Sequence, residues 1–162
     1  MEQDGRLLDD RAVMQICFVT DDVNKTTAWF ADLFGVAPGE LRTSADAETA
    51  KARYKGEPAV VSCKTKIFSF DNIDIEILEP GPEKSAWRDV LEEKGPCVHH
   101  IAIRTRNMTK RSAYLEGNGQ AKLQSGEFNG GGGGRYAYFD ASAKLGTLIE
   151  LLEFDNDKEP QP

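Results

Sequence analysis

The chain has 162 residues, 40% of them hydrophobic and 29% charged, which suits one globular domain able to bury a core of its own. A formal net charge of −7 and an isoelectric point near 4.9 argue against a nucleic-acid partner, whose phosphates need a basic face. No apolar run approaches the length of a membrane span, and the start Met1-Glu2-Gln3-Asp4-Gly5-Arg6 lacks the basic start and apolar stretch of a signal peptide, so a cytoplasmic location is expected.

The first twelve residues are polar and aperiodic, a loose lead-in. Met14, Ile16 and Phe18 then alternate with Gln15, Cys17 and Val19, the period of a strand with two different faces. Asp21-Asp22 can cap a helix from about Val23 to Phe34, with Trp29, Phe30, Leu33 and Phe34 as its apolar stripe and Gly35 as its stop. Residues 40–55 lack a clear period and predict a weak strand and a mobile loop. Residues 59–70 and 73–79 read as strands joined by a turn at Asp71-Asn72. Pro80-Gly81-Pro82 breaks the chain, and Ser85 caps a linking helix over 84–94 that carries Trp87, Val90 and Leu91 and stops at Gly95-Pro96. A strand at 97–105, a helix at about 108–117 and strands near 121–124, 135–140 and 147–154 follow. The acidic end, 155–162, reads as a solvated tail. The run Gly130-Gly131-Gly132-Gly133-Gly134 is read either as a flexible connector or as a lid that orders on ligand binding, and it lacks the pattern of a phosphate loop. Cys17, Cys63 and Cys97 are odd in number and form no CxxC pair, so they are expected to be small core residues.

The order βαβββ thus occurs twice, and two stretches of the halves each match without gaps. Val13-Met14-Gln15-Ile16-Cys17-Phe18-Val19-Thr20 lies over Val98-His99-His100-Ile101-Ala102-Ile103-Arg104-Thr105, and Ile75-Glu76-Ile77-Leu78-Glu79 lies over Ile149-Glu150-Leu151-Leu152-Glu153. Gln15 therefore sits on His100, and Glu76 on Glu150. An amide, an imidazole and two carboxylates at equivalent strand positions suggest a pseudo-twofold cup holding one divalent ion. Strand parity puts Ile73, Ile75 and Ile77 on one face and Asp74, Glu76 and Leu78 on the other, while Glu150 shares a face with Leu148 and Leu152. Carboxylates among apolar neighbours are costly to bury unpaired, and a metal would resolve the cost. His99 faces away from His100 and reads as structural or as a support for it, and Glu79 and Glu153 read as solvent-facing.

These residues resemble the vicinal oxygen chelate superfamily, which includes glyoxalase I, methylmalonyl-CoA epimerase, extradiol dioxygenases and bleomycin-resistance proteins. The resemblance covers roughly residues 12–154. It implies an α+β fold in which two paired βαβββ modules form a U-shaped, cup-like mixed sheet, with module one at about 12–80, module two at about 97–154 and the chain 1–162 a single domain. It also implies one divalent ion, Zn, Ni, Co or Mn, held by Gln15, Glu76, His100 and Glu150. That order of ligands is similar to the human-type glyoxalase I, whereas Glu76-Ile77-Leu78-Glu79-Pro80 and Gly95-Pro96-Cys97-Val98-His99-His100-Ile101-Ala102 look more like methylmalonyl-CoA epimerase. Val19 and Thr20 stand where glyoxalase I has its glutathione-binding arginine, Gln15 stands where the epimerase usually has histidine, and a single histidine ligand disfavours an extradiol dioxygenase.

The expected function is a metal-dependent isomerase, epimerase or lyase that removes a proton next to a metal-chelated carbonyl, with Glu76 and Glu150 as the acid-base pair. The expected substrate is a small molecule with adjacent oxygens. The alternative is a metal-free protein that binds and sequesters a small molecule, of the bleomycin-resistance type. A homodimer is expected, because the edges of an eight-stranded open cup need cover.

Overall fold

The computed structural model describes residues 13–129 and 132–157. The lead-in over 1–12, Gly130 and Gly131 of the glycine run, and residues 158–162 of the tail lie outside the described residues.

Strand β1 (Val13–Val19) leads into helix α1 (Val23–Phe34). Asp22 accepts a hydrogen bond from the Lys25 amide at 2.9 Å to start the helix, and Gly35, at φ 64°, returns its amide to the Ala31 carbonyl to end it. An excursion follows, made of β2 (Arg42–Thr43), α2 (Ala47–Ala50), β3 (Arg53–Tyr54) and β4 (Glu57–Pro58), before β5 (Cys63–Ser69) and β6 (Asp74–Pro80) complete the first half. Helix α3 (Ala86–Lys94), capped by Ser85, links to β7 (Cys97–Arg104), α4 (Met108–Gly117), β8 (Lys122–Phe128), β9 (Gly134–Asp140), α5 (Ser142–Leu145) and β10 (Leu148–Phe154).

All ten strands form one sheet in the order β2-β5-β6-β1-β7-β10-β9-β8-β3-β4. Its centre is the antiparallel pair β1–β7, flanked on each side by a parallel partner, β6 on β1 and β10 on β7. Ile16 faces Ile101 across the central pair, and these two residues are equivalent in the sequence repeat, so the pseudo-twofold axis passes between them. Two strands exceed the eight expected, because β3 and β4 form a hairpin from the first half that pairs with β8 of the second. The hairpin turns at Lys55 and Gly56, both at positive φ (50° and 86°). The segment expected to be a mobile loop therefore crosses to the far edge of the sheet, where Lys51 also pairs with Glu127 at 3.2 Å.

Alternation sorts the sheet into two faces. Beneath α1, Val23, Phe68 and Ile77 form one apolar cluster, and beneath α4, Met108, Leu115, Ala137, Phe139 and Leu151 form its counterpart. The concave face carries the third cluster, in which Cys17, Leu78, Trp87, Tyr138 and Leu148 meet the residues of α3 and the excursion.

Three expectations are corrected. Trp29, Leu33 and Phe34 do not face the core but stay more than half exposed; Val23, Thr27 and Phe30 are the residues that α1 turns inward. Glu153 is fully buried rather than solvent-facing, accepting from the Met108 amide at 2.9 Å and from Arg135 Nε at 2.6 Å. Glu79 plays the same part in the first half, accepting from the Val23 amide at 3.0 Å and from Lys64 Nζ at 3.1 Å. Each carboxylate thus satisfies the first orphan N–H of its module's long helix, where the positive end of the helix dipole favours an anion. Residues 155–157 of the tail are docked as a 3-10 turn, in which Asp157 pairs with Arg104.

Candidate metal centre

Four strands deliver the four residues singled out by the repeat to one point on the concave face. Two adjacent rows of the sheet hold them: Gln15 pairs with Ala102 and Ala102 with Glu150 in one row, while Glu76 pairs with Cys17 and Cys17 with His100 in the next. The meeting point is His100 Nε2. It lies 3.0 Å from Glu150 Oε2, 3.3 Å from Gln15 Oε1 and 3.7 Å from Glu76 Oε2. His100 is fully buried, Glu150 is 4% exposed and the Glu76 side chain 14%.

His99 sets the chemistry of that nitrogen. Its Nε2 stands 3.1 Å from the Ala86 carbonyl, which can only accept, so this nitrogen carries the proton. Burial, reinforced by the neighbouring His100, pushes the pKa of His99 down to about 3 and keeps it neutral, which leaves its Nδ1 bare. That Nδ1 lies 2.8 Å from His100 Nδ1, so His100 Nδ1 is the donor and, in neutral His100, Nε2 presents a lone pair to the three oxygens. A histidine expected to face away thus fixes the tautomer of its neighbour.

The electrostatics call for a cation. Burial pushes Glu76 above the usual carboxylate range against the opposing pull of His100. Burial disfavours a charged His100 too, yet the Glu150 and Glu76 carboxylates outweigh it and raise the imidazole pKa. Glu150 Oε2 is buried and finds no hydrogen-bond partner, although it lies 3.0 Å from His100 Nε2. A buried acceptor without a donor is expensive, and a divalent ion would satisfy it. The donor set fits such an ion: two carboxylates, one imidazole and one amide, with room for substrate oxygens.

The site opens into a cavity of about 650 Å³ walled by Arg42, Cys63, Trp87, Phe128, Tyr136 and Tyr138 among others. Trp87 Nε1 donates to the Tyr138 hydroxyl at 2.9 Å, and Gln124 donates to the Tyr136 hydroxyl at 3.2 Å while accepting from the Ala86 amide at 2.8 Å. These bonds lock the aromatic wall beside the His100 ring, whose centroid is 4.9 Å from that of Tyr138. Arg42 is the one cationic side chain among the described residues lining the cavity. Arg135, Arg53 and Tyr54 are engaged elsewhere, with Glu153, the Gly56 carbonyl and Asp89 respectively.

Cys17 is the site residue the sequence reading missed. It is fully buried between Glu76 and His100, and the donor atoms of the three lie within 4.8 Å of one another. The signal was its parity, since Cys17 lies two residues from Gln15 on the same face of β1.

The family described as the Glyoxalase/Bleomycin resistance protein/Dioxygenase superfamily matches residues 14–139. No curated protein matches the chain in sequence. Among solved structures, a methylmalonyl-CoA epimerase variant from Streptomyces coelicolor, in complex with 2-nitronate-propionyl-CoA, is similar with a TM-score of 0.61 and 20% identity, over 91% of this chain and 96% of that one. A hypothetical protein from Bacillus halodurans C-125 gives 0.63 and 18%, over 93% and 96%. The methylmalonyl-CoA epimerase from Mycobacterium tuberculosis gives 0.60 and 16%, over 91% and 87%. At these identities the likenesses describe the fold.

Proposed function

Because the chain belongs to the glyoxalase/bleomycin resistance protein/dioxygenase superfamily, we propose that it is a divalent-metal-dependent isomerase, epimerase or lyase that removes and returns a proton beside a carbonyl. Gln15, Glu76, His100 and Glu150 would hold the ion. The observation that carries this reading is the convergence of three oxygens within 3.7 Å of His100 Nε2, one of them the buried, unbonded Glu150 Oε2. A metal-free sequestering cleft would gain nothing from burying two carboxylates.

When bound, the ion supplies Lewis acidity, making the proton on the carbon next to a chelated carbonyl more acidic. The rest falls to the protein. Glu76 and Glu150 reach the site from β6 and β10, related by the pseudo-twofold axis, so one can take the proton from one side of the substrate carbon and the other return it from the opposite side. Burial strengthens Glu76 as a base by raising its pKa. Trp87, Tyr136 and Tyr138 wall the carbon off from water, and Arg42 suits an anionic group on the substrate. An acyl thioester with a carboxylate fits this arrangement, and one structural relative is a methylmalonyl-CoA epimerase in complex with methylmalonyl-CoA.

We place the protein in the cytoplasm, where its three free cysteines would stay reduced. No helix among the described residues is long and apolar enough to cross a membrane. The homodimer expected for its open edges needs a different warrant, because the edge strands β2 and β4 are only two residues long. The exposed Trp29, Leu33 and Phe34 on α1 supply one.

The test is solvent exchange: metal-loaded protein incubated with methylmalonyl-CoA in heavy water should introduce deuterium at the carbon between the two carbonyls. A panel of short acyl thioesters and 2-hydroxy or 2-oxo carbonyl compounds extends the search. Exchange with none of them would count against proton abstraction.

A further inference from the structure

We infer that Cys17 is an additional ligand of the metal centre, its sulfur joining Glu76, His100 and Glu150 around the ion. This rests on the metal-dependent reading above and deepens it.

Four observations converge on the sulfur. Cys17 occupies the central position of its row, with Glu76 as its direct partner on β6 and His100 as its direct partner on β7. The donor atoms of Cys17, Glu76 and His100 lie within 4.8 Å of one another, so small side-chain rotations bring sulfur and nitrogen to the ~2.3 and ~2.0 Å they keep from an ion such as zinc. The cluster is independently marked for a cation by Glu150 Oε2, which is buried, directed at His100 Nε2 and without a hydrogen-bond donor. Finally, the pseudo-twofold axis carries Cys17 onto Ala102, which stands beside Glu150 as Cys17 stands beside Glu76. A methyl group fills this place in the second half, so the sulfur is more than packing requires, and it appears on one side of the axis alone.

Charge supports the same assignment. A thiolate and one carboxylate neutralise a divalent ion, with neutral His100 and Gln15 beside them, so the second carboxylate can loosen and take a proton. On binding, the thiol proton leaves to solvent. A sulfur donor also biases the site toward zinc or cobalt and away from manganese or magnesium, which prefer oxygen.

Cobalt(II) titration of the full chain tests this, because the metal alone is the probe. Wild-type protein should develop visible d–d bands saturating at one cobalt per chain, together with a near-ultraviolet sulfur-to-cobalt charge-transfer band. Cys17→Ala and Cys17→Ser should keep the visible bands and lose the charge-transfer band. The alanine variant copies the residue tolerated at Ala102, and the serine variant keeps the side-chain size, so the pair guards against a folding defect. Saturable visible bands without charge transfer in the wild type would overturn the inference and leave the metal centre intact. Charge transfer that survives in both variants would also overturn it, pointing to Cys63 or Cys97. Absence of any cobalt band in the wild type would overturn both the inference and the metal-dependent reading.

Discussion

The Nδ1 atoms of His99 and His100 stand 2.8 Å apart, so His99 can support its neighbour only while it is uncharged; a second proton would set N–H against N–H. Burial holds the pKa of His99 at about 3 in the folded chain, against 6.5 for an ordinary histidine. Between those values the unfolded state binds more protons, so the contribution to stability is fully present above pH 6.5 and is lost as the pH falls toward 3. For metal-free protein we predict that wild type loses about 2 kcal/mol more stability than His99→Gln between pH 6.5 and pH 5. Chemical denaturation at the two pH values measures the difference, and equal losses would contradict it.

Glu153 should matter more to stability than its repeat partner Glu79. Both accept the first amide of a helix, but Glu153 is buried and also holds Arg135 Nε at 2.6 Å, whereas Glu79 keeps a quarter of its side chain in water. Glu153→Ala is predicted to cost about 2–3 kcal/mol, since it strands a buried N–H, while the part-exposed Arg135 guanidinium can turn to water. For Glu79→Ala the expectation is about 1 kcal/mol. Thermal unfolding of the two variants checks the order, which a milder Glu153 variant would reverse.

Much of this was legible because two periods are written plainly into the chain. The 85-residue offset that aligns Ile16 with Ile101 reappears as their pairing across the central strands, and parity alone put Asp74, Glu76 and Leu78 on the cavity side of β6. The helix ends at Asp22, Gly35, Ser85 and Gly95 fell where capping chemistry put them. Other features escaped for physical reasons. Lys55-Gly56 is an uncommon hairpin turn, because lysine seldom adopts positive φ, so the β3–β4 crossing was read as a loop. Trp29 and Leu33 look like core residues by hydropathy, but the sheet beneath α1 is already filled by Phe68 and Ile77 through Val23 and Phe30. Glu153 was misplaced because sequence alone gives no sign that a helix amide lies within its reach.

Glu76→Gln separates metal holding from proton transfer. An amide can still face the ion but cannot take a proton, so the variant should retain its metal while deuterium exchange into substrate falls about 10²–10⁴-fold. Metal content by elemental analysis and exchange by mass spectrometry would be read on the same sample. Wild-type exchange in a metal-loaded variant would remove Glu76 as a base.

The exposed apolar stripe on α1 should be a contact between copies of the chain. Sedimentation is predicted to give twice the 17.9 kDa monomer mass for the wild type, and Leu33→Glu is predicted to shift the protein toward monomer. A wild-type protein that stays monomeric at high concentration would rule out the dimer.

Metal stoichiometry in wild type and Glu150→Ala decides whether the cluster around His100 Nε2 holds one divalent ion. Glu150 brings the carboxylate oxygen closest to that nitrogen, at 3.0 Å, and this oxygen has no hydrogen-bond donor. Removing it takes away a charged ligand and should weaken the site severely. After incubation with zinc or cobalt and removal of excess metal, wild type should retain one ion per chain and Glu150→Ala close to none. A wild type that retains no ion, or a variant that retains as much as the wild type, would rule out a metal centre held by Glu150.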